Sequence, residues 1–285
     1  MLTNYHSHST FCDGKSTMEE MVISAVECGF THWGVSSHAP FPISNDFALK
    51  EEDIPAYKRE FLRLKDKYAD KIKLYIGLEM DFVPDICEDI RHKAVDYGLD
   101  YFIGSVHQVK EHNNSLKTWF IDGGKSEKYD LGLKEVFDND IKSGVTCFFN
   151  QQKEMIEHNR PDVLGHFDKV VMHNKDRYFL QSEKWYEDLV LSLIDTVAKC
   201  GTVVEINTRG LYKQRHNDYY PSTFWIKYLI EHNIPLTVST DCHKADEAGA
   251  YYKEALRHLK ELNCKELYYF EQGWHAEDIN AFVTK

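Results

Sequence analysis

Thr3-Asn4-Tyr5-His6-Ser7-His8 opens the chain as a short β-rich run. Ser16-Thr17-Met18-Glu19 follows, a capping-box pattern that predicts a helix ending at Gly29. Trp33-Gly34-Val35-Ser36-Ser37-His38 is then a second strand. Strand, helix, strand is the unit of a parallel sheet. The alternation continues outward, with strands expected at Lys73–Phe82, Tyr101–His107, Val163–Phe167, Val203–Asn207, Leu236–Asp241 and Glu266–Phe270. Helices are expected across Tyr57–Tyr68, Asp85–Tyr97, Val136–His158, Glu183–Lys199, Ser222–His232 and Asp246–Leu262. Seven or eight such units favour a closed α/β barrel over an open sheet. No linker, repeat or low-complexity tract interrupts them, so residues 1–285 read as a single domain. Lys110–Lys134 breaks the rhythm and reads as a long loop over the pocket, with Asn113-Asn114, Gly123-Gly124 and aromatic anchors at Trp119 and Phe120.

In a parallel barrel the carboxyl ends of the strands converge on one face, where active sites are built. His6 and His8 end the first strand, His38 the second, Glu79 and Asp81 the third, and His107 the fourth. His166 and Asp168 end the fifth, Glu205 and Asn207 the sixth, and Asp241 and His243 the seventh. Residues i and i+2 of a strand share a face, roughly 6.5–7 Å apart, so His6/His8 and Asp241/His243 can aim together. A lone histidine at a strand end is usually just hydrogen-bonded or exposed. The joint pattern is different, because charged groups gathered on one rim are costly unless paired or coordinated. His32, His92, His112, His158, His173, His216, His232, His258 and His275 fall off this rim and read as solvated or packing residues. Cys12 and Cys242 adjoin ligand candidates and read as packing residues too.

Imidazole and carboxylate donors suit Zn, Mn or Fe. The donor candidates exceed what one tetrahedral ion needs, and a carboxylate such as Glu79 can bridge two ions, so two or three metals are feasible. The 7 Cys form no Cys-x-x-Cys, which argues against a thiolate zinc site and a disulfide framework and makes the cytoplasm the expected compartment. With 34 basic and 46 acidic residues the net charge is −12, which argues against an obligate nucleic-acid partner. Hydrophobic residues at 42% and charged ones at 28% are globular values, not disordered ones. No uncharged stretch of about 20 residues predicts a membrane span, and the first residues lack the pattern of a secretory signal.

The ordered motifs are His6-Ser7-His8 with Cys12-Asp13-Gly14, Ser37-His38, Gly77-Leu78-Glu79-Met80-Asp81 and Gly104-Ser105-Val106-His107. Gly165-His166-Phe167-Asp168, Glu205-Ile206-Asn207 and Ser239-Thr240-Asp241-Cys242-His243 complete the set. In these residues the chain resembles the polymerase-and-histidinol-phosphatase (PHP) family, and within it the histidinol-phosphate phosphatase branch. The resemblance implies a distorted (β/α)7-type barrel, with the metal site at the carboxyl ends of the strands, and three divalent ions. It assigns His6, His8, Glu79 and Asp241 to the first ion, Glu79 with His107 and His166 to the second, and Asp13, His38 and His243 to the third. Asp13 stands where some members carry His. The implied activity is hydrolysis of L-histidinol phosphate, a small phosphomonoester, in histidine biosynthesis.

Metal-activated hydroxide would be the nucleophile. Glu79 and Asp241 are the catalytic candidates, Asp241 as an acid for the leaving group if it switches role. Arg160 and Arg209 are the candidates to clamp phosphate, the bland reading of each being a surface charge. Two rival readings are a PHP-type nuclease or phosphodiesterase acting on nucleotides and a non-catalytic metal-binding PHP domain. A metal-dependent amidohydrolase would be expected to place Lys where Glu79 stands.

Overall fold

The computed structural model describes residues 1–43, 45–111 and 116–283. His112 and the pair Asn113-Asn114 lie outside the described residues.

The strands, in chain order, are β1 (Thr3–Asn4), β2 (His32–Val35), β3 (Lys73–Ile76), β4 (Glu79–Asp81), β5 (Ile103–Ser105), β6 (Gln108–Lys110), β7 (Thr118–Phe120), β8 (Val163–Leu164), β9 (Val203–Asn207), β10 (Leu236–Ser239), β11 (Glu266–Phe270) and β12 (Trp274–Asp278). The helices are α1 (Met18–Glu27), α2 (Ile54–Lys67), α3 (Ile90–Tyr97), α4 (Ser126–Phe137), α5 (Ile141–Asn159), α6 (Val171–Asn174), α7 (Lys184–Cys200), α8 (Arg209–Tyr212), α9 (Thr223–Glu231) and α10 (Tyr252–Glu261). β1, β2 and β3 pair in parallel, and so do β4, β5, β8, β9 and β10 in that order. The expected strand Lys73–Phe82 joins these two sheets. Its first half pairs with β2, its second half with β5, and Gly77-Leu78 is the bend between them. Gly77 is required there, because a Cβ would stand 2.5 Å from the Tyr101 ring. The sheet closes where Ser7 bridges Cys242 and the His8 amide donates to the Cys242 carbonyl at 2.8 Å. Among the described residues the result is a distorted parallel barrel of seven staves, with β3 and β4 counted as one.

The expected eighth strand is not a stave. Positive φ at Gln272 and Gly273 turns the chain back, so β11 pairs antiparallel with β12. Phe270 at its end packs with Tyr5, Tyr75, Tyr101, Ile103 and Val163 in a small buried cluster, and its amide donates to Tyr5 Oη at 2.8 Å. Tyr101 precedes β5, and Ile103 and Val163 begin β5 and β8, so the hairpin packs at the amino ends of these staves, opposite the face of His6 and His8.

The capping box sits one residue later than expected. Thr17 caps α1, its Oγ1 accepting from the Glu20 amide at 3.2 Å while Glu20 Oε2 accepts from the Thr17 amide at 2.7 Å. Ser16 Oγ accepts instead from the Ala245 amide. The expected helix Val136–His158 takes in only the last two residues of α4 and then α5, the two parted at Asp138 and Asn139, both at positive φ. α3 starts at Ile90 rather than Asp85, whose own φ is 62°. α5 also steadies the rim. Gln151 Nε2 donates to the carbonyls of Phe82 and Gln108, and Gln152 Nε2 to that of Phe167, satisfying buried acceptors just beyond three stave ends.

Candidate metal centre

Glu79 lies 2% exposed at the middle of the rim. Its two oxygens face different partners. Oε2 is 3.2 Å from His6 Nε2, 3.5 Å from His8 Nε2 and 3.1 Å from His38 Nδ1. Oε1 is 3.0 Å from His166 Nε2 and 3.5 Å from His107 Nε2, and accepts from Ser105 Oγ at 2.7 Å. Asp241 Oδ1 stands 3.3 Å from His8 Nε2 and 3.7 Å from His6 Nε2. Asp13 Oδ1 is 3.2 Å from His243 Nε2 and 3.8 Å from His38 Nε2. The structure therefore brings together all nine donor positions expected from the sequence. They fall into overlapping groups, with His8 shared between the Asp13 side and the Glu79 side.

The outer nitrogens of two of these histidines are held by carboxylates. His6 Nδ1 is 2.8 Å from Glu205 Oε2, and His107 Nδ1 is 3.0 Å from Asp81 Oδ1. Such a partner fixes which ring nitrogen points inward and raises its basicity. Glu205 is fixed in turn, accepting from the His166 amide at 2.7 Å and from Asn207 Nδ2 at 3.0 Å. Cys12, expected only to pack, touches a donor, its Sγ lying 3.5 Å from His8 Nδ1.

Burial works against charge on these groups, yet the carboxylates stay ionised. His6, His107 and His38 hold Glu79 well below the usual carboxylate range, and His6 and Arg209 do the same for Asp241. Burial, His243 and His38 push His8 down, whereas Glu79 and Asp13 outweigh burial to bring His38 up to about 9. His6 Nε2, His8 Nε2, His38 Nδ1 and Asp13 Oδ1 are buried without a hydrogen-bond partner. Lone pairs left in this way are destabilising unless something accepts them. Imidazole nitrogens and carboxylate oxygens that converge, within each group, to 4.8 Å or less of one another are a donor set that fits divalent cations.

Above the donors lies a cavity of about 250 Å³, lined by Asp13, His38, Glu79, His107, His166, Asp241 and His243 together with Phe47, Phe120, Asp122, Arg209 and Arg215. Arg209 is 8% exposed and donates from Nη1 to the Asp241 carbonyl at 2.6 Å, with Nε 3.9 Å from Asp241 Oδ2. Arg160, expected beside the phosphate, does not line this cavity. It is the exposed C-cap of α5, at φ 45°, and its carbonyl accepts from Arg91. A residue just before a parallel strand stands at the amino end of the barrel, away from the catalytic face. Nor is the expected long loop Lys110–Lys134 all loop. Among the described residues, Lys110–Lys134 holds the end of β6, then β7 and most of α4. Trp119 is fully buried against Tyr129 and Phe137 and pins the segment, while Phe120 faces the cavity and stacks on Phe47. Sequence reading missed Asp122, Lys169 and Arg215. Lys169 directly follows Asp168 on a quoted motif, a signal that was available; the other two are brought in by distant loops.

A parallel barrel carrying a nitrogen–oxygen metal centre on its carboxyl rim defines a metal-dependent barrel of the hydrolytic type. A sequence profile described as "PHP domain" matches residues 4–209, and the chain belongs to that family. A Schizosaccharomyces pombe protein named "Probable histidinol-phosphatase" is 28% identical over 98% of this chain and 92% of its own length. The Bacillus subtilis protein named "Histidinol-phosphatase" is 24% identical over 88% and 97%. Among solved structures, HisK from Listeria monocytogenes superposes with a TM-score of 0.75 at 22% identity, covering 88% of this chain and 99% of that one. Histidinol phosphate phosphatase from Lactococcus lactis, complexed with Zn, L-histidinol and phosphate, gives 0.67 at 21% identity over 95% and 97%. These two likenesses establish the fold.

Proposed function

We propose that the chain, acting as one barrel domain over residues 1–285, is a metal-dependent phosphomonoesterase that hydrolyses L-histidinol phosphate to L-histidinol and phosphate. The observation that carries the reading is the divided carboxylate of Glu79, facing three imidazoles on one oxygen and two on the other. The names of the full-length relatives and the ligands of the Lactococcus lactis structure support the substrate.

His6, His8, Glu79 and Asp241 would hold one divalent ion, Glu79, His107 and His166 a second, and Asp13, His38 and His243 a third, with Zn, Mn and Fe all suited to these donors. Bound there, such ions lower the pKa of water and neutralise phosphoryl charge. Glu205 and Asp81 orient His6 and His107. Arg209 offers a guanidinium to the phosphoryl oxygens from the cavity wall. Asp241, kept ionised beside His6 and Arg209, has no proton to give at rest. It serves the leaving alkoxide only after taking a proton from the attacking water. Among the described residues no helix is long and apolar enough to cross a membrane.

Phosphate release from L-histidinol phosphate tests the reading, measured on metal-replete, chelator-stripped and Glu79→Ala protein. Turnover by the first alone is expected. A metal-replete chain that is inert on phosphomonoesters would remove the proposal and leave a non-catalytic metal-binding domain.

A further inference from the structure

Asp122 has no place in the donor set, yet it sits on the cavity wall. It follows β7, so the hairpin β6–β7 carries it to the rim. Its Oδ2 is 3.3 Å from Lys169 Nζ and 3.8 Å from His107 Nε2, and its Oδ1 is 3.8 Å from Arg215 Nη1. Lys169 is 1% exposed, and its ammonium is placed by Asp122, by Asp241 Oδ2 at 3.9 Å and by the Tyr220 ring at 5.2 Å. A buried ammonium is costly unless paired, so Lys169 locks Asp122 from behind the wall. Arg215 is different. It lines the cavity and its side chain is one-third exposed, so it can reach a ligand. Arg209 and Arg215 flank one tight turn, in which the amides of Arg215 and His216 both donate to the Gly210 carbonyl. Gly210 is needed for that turn, since a Cβ would meet the Asp218 carbonyl oxygen at 2.9 Å.

We propose that Asp122 is a positioning residue: anchored by buried Lys169, it aims Arg215 into the cavity, so that Arg209 and Arg215 close together on the phosphoryl group. The inference rests on the phosphomonoesterase reading. It replaces Arg160 with a second guanidinium that the fold does bring to the rim. It also sets a sign that bare electrostatics opposes. A carboxylate beside a phosphoryl dianion repels it, so removing the charge of Asp122 should tighten phosphate binding if Asp122 acts only through its own field. If Asp122 acts through Arg215, removal should weaken binding.

The test is calorimetric titration of inorganic phosphate into metal-replete protein, with metal content and p-nitrophenyl phosphate kinetics measured on the same samples. Arg215→Ala is expected to weaken phosphate by roughly tenfold or more, the loss of one charge-assisted contact, and Arg215→Lys to restore part of it. Asp122→Asn and Lys169→Met should weaken it in the same direction. The double variant Asp122→Asn/Arg215→Ala should be no worse than Arg215→Ala alone, because both act through one guanidinium. Bound metal should be unchanged. Tighter phosphate binding by Asp122→Asn overturns the proposal. So does metal loss confined to Asp122→Asn, which would make Asp122 part of the metal centre. A defect seen only with amino-bearing substrates also overturns it, since Asp122 would then be reading an ammonium. Wild-type protein that neither binds phosphate nor turns over monoesters refutes the broader reading instead.

Discussion

Glu79 is the residue on which the rim depends, because both of its oxygens are committed to imidazoles. Glu79→Ala is expected to lose metal and turnover together, read by elemental analysis and kinetics on one preparation. It should also lower the thermal midpoint, since metal that binds only the native state stabilises it by linkage. Glu205 is a sharper probe, because it touches His6 through the outer nitrogen only. Glu205→Gln should lower metal affinity or activity by about 10–100-fold while the fold persists, measured by competitive chelator titration. Arg209→Ala should lower monoester kcat/KM by roughly 10²-fold without changing metal content, and Arg160→Ala should leave both near wild type. The contrast between these two arginines shows what local sequence can reveal. Motif spacing marked eight of the nine donors because they fall at stave ends; Asp13, in the loop after the first stave, came from the resemblance alone. Spacing said nothing of which guanidinium reaches over the rim; only the rule that a residue preceding a parallel strand faces the other end could have excluded Arg160.

The hairpin β6–β7 and the start of α4 form the element that distinguishes this barrel's mouth. Two adjacent aromatic residues divide its work. Trp119 is fully buried and donates from Nε1 to the Tyr129 carbonyl at 2.9 Å, whereas Phe120 stacks on Phe47 at the cavity. Trp119→Ala is expected to destabilise by about 3–5 kcal/mol in denaturant unfolding. Phe120→Ala should change stability little and alter discrimination among phosphomonoesters; equal selectivity would assign Phe120 to packing alone. The sequence rendered this segment as loop because its strands are three residues each, too short for a period-2 signal. β9 was legible to the residue, since Val203–Asn207 is a continuous run bounded by Gly201-Thr202. The break between α4 and α5 was not, because Asp138 and Asn139 tolerate left-handed backbone without announcing it as glycine would.

At the scale of the molecule, the staves and the hairpin β11–β12 divide the barrel into a polar rim and an aromatic base. Tyr5, Tyr75, Tyr101 and Phe270 fill the closed end, while His6 and His8, just after Tyr5, open onto the metal centre. Strand–helix alternation was enough to expect parallel closure, but not the kink at Gly77 that lets one stave serve two sheets. That kink depends on Tyr101, a contact between distant residues. A rim built for a phosphomonoester should act on it in preference to a diester. The most direct measurement is the ratio of kcat/KM for L-histidinol phosphate to that for bis(p-nitrophenyl) phosphate on the same metal-replete protein. A ratio of at least about 10² is expected, the value of one well-placed charge contact in the transition state. A ratio at or below one would contradict it and make the protein a phosphodiesterase.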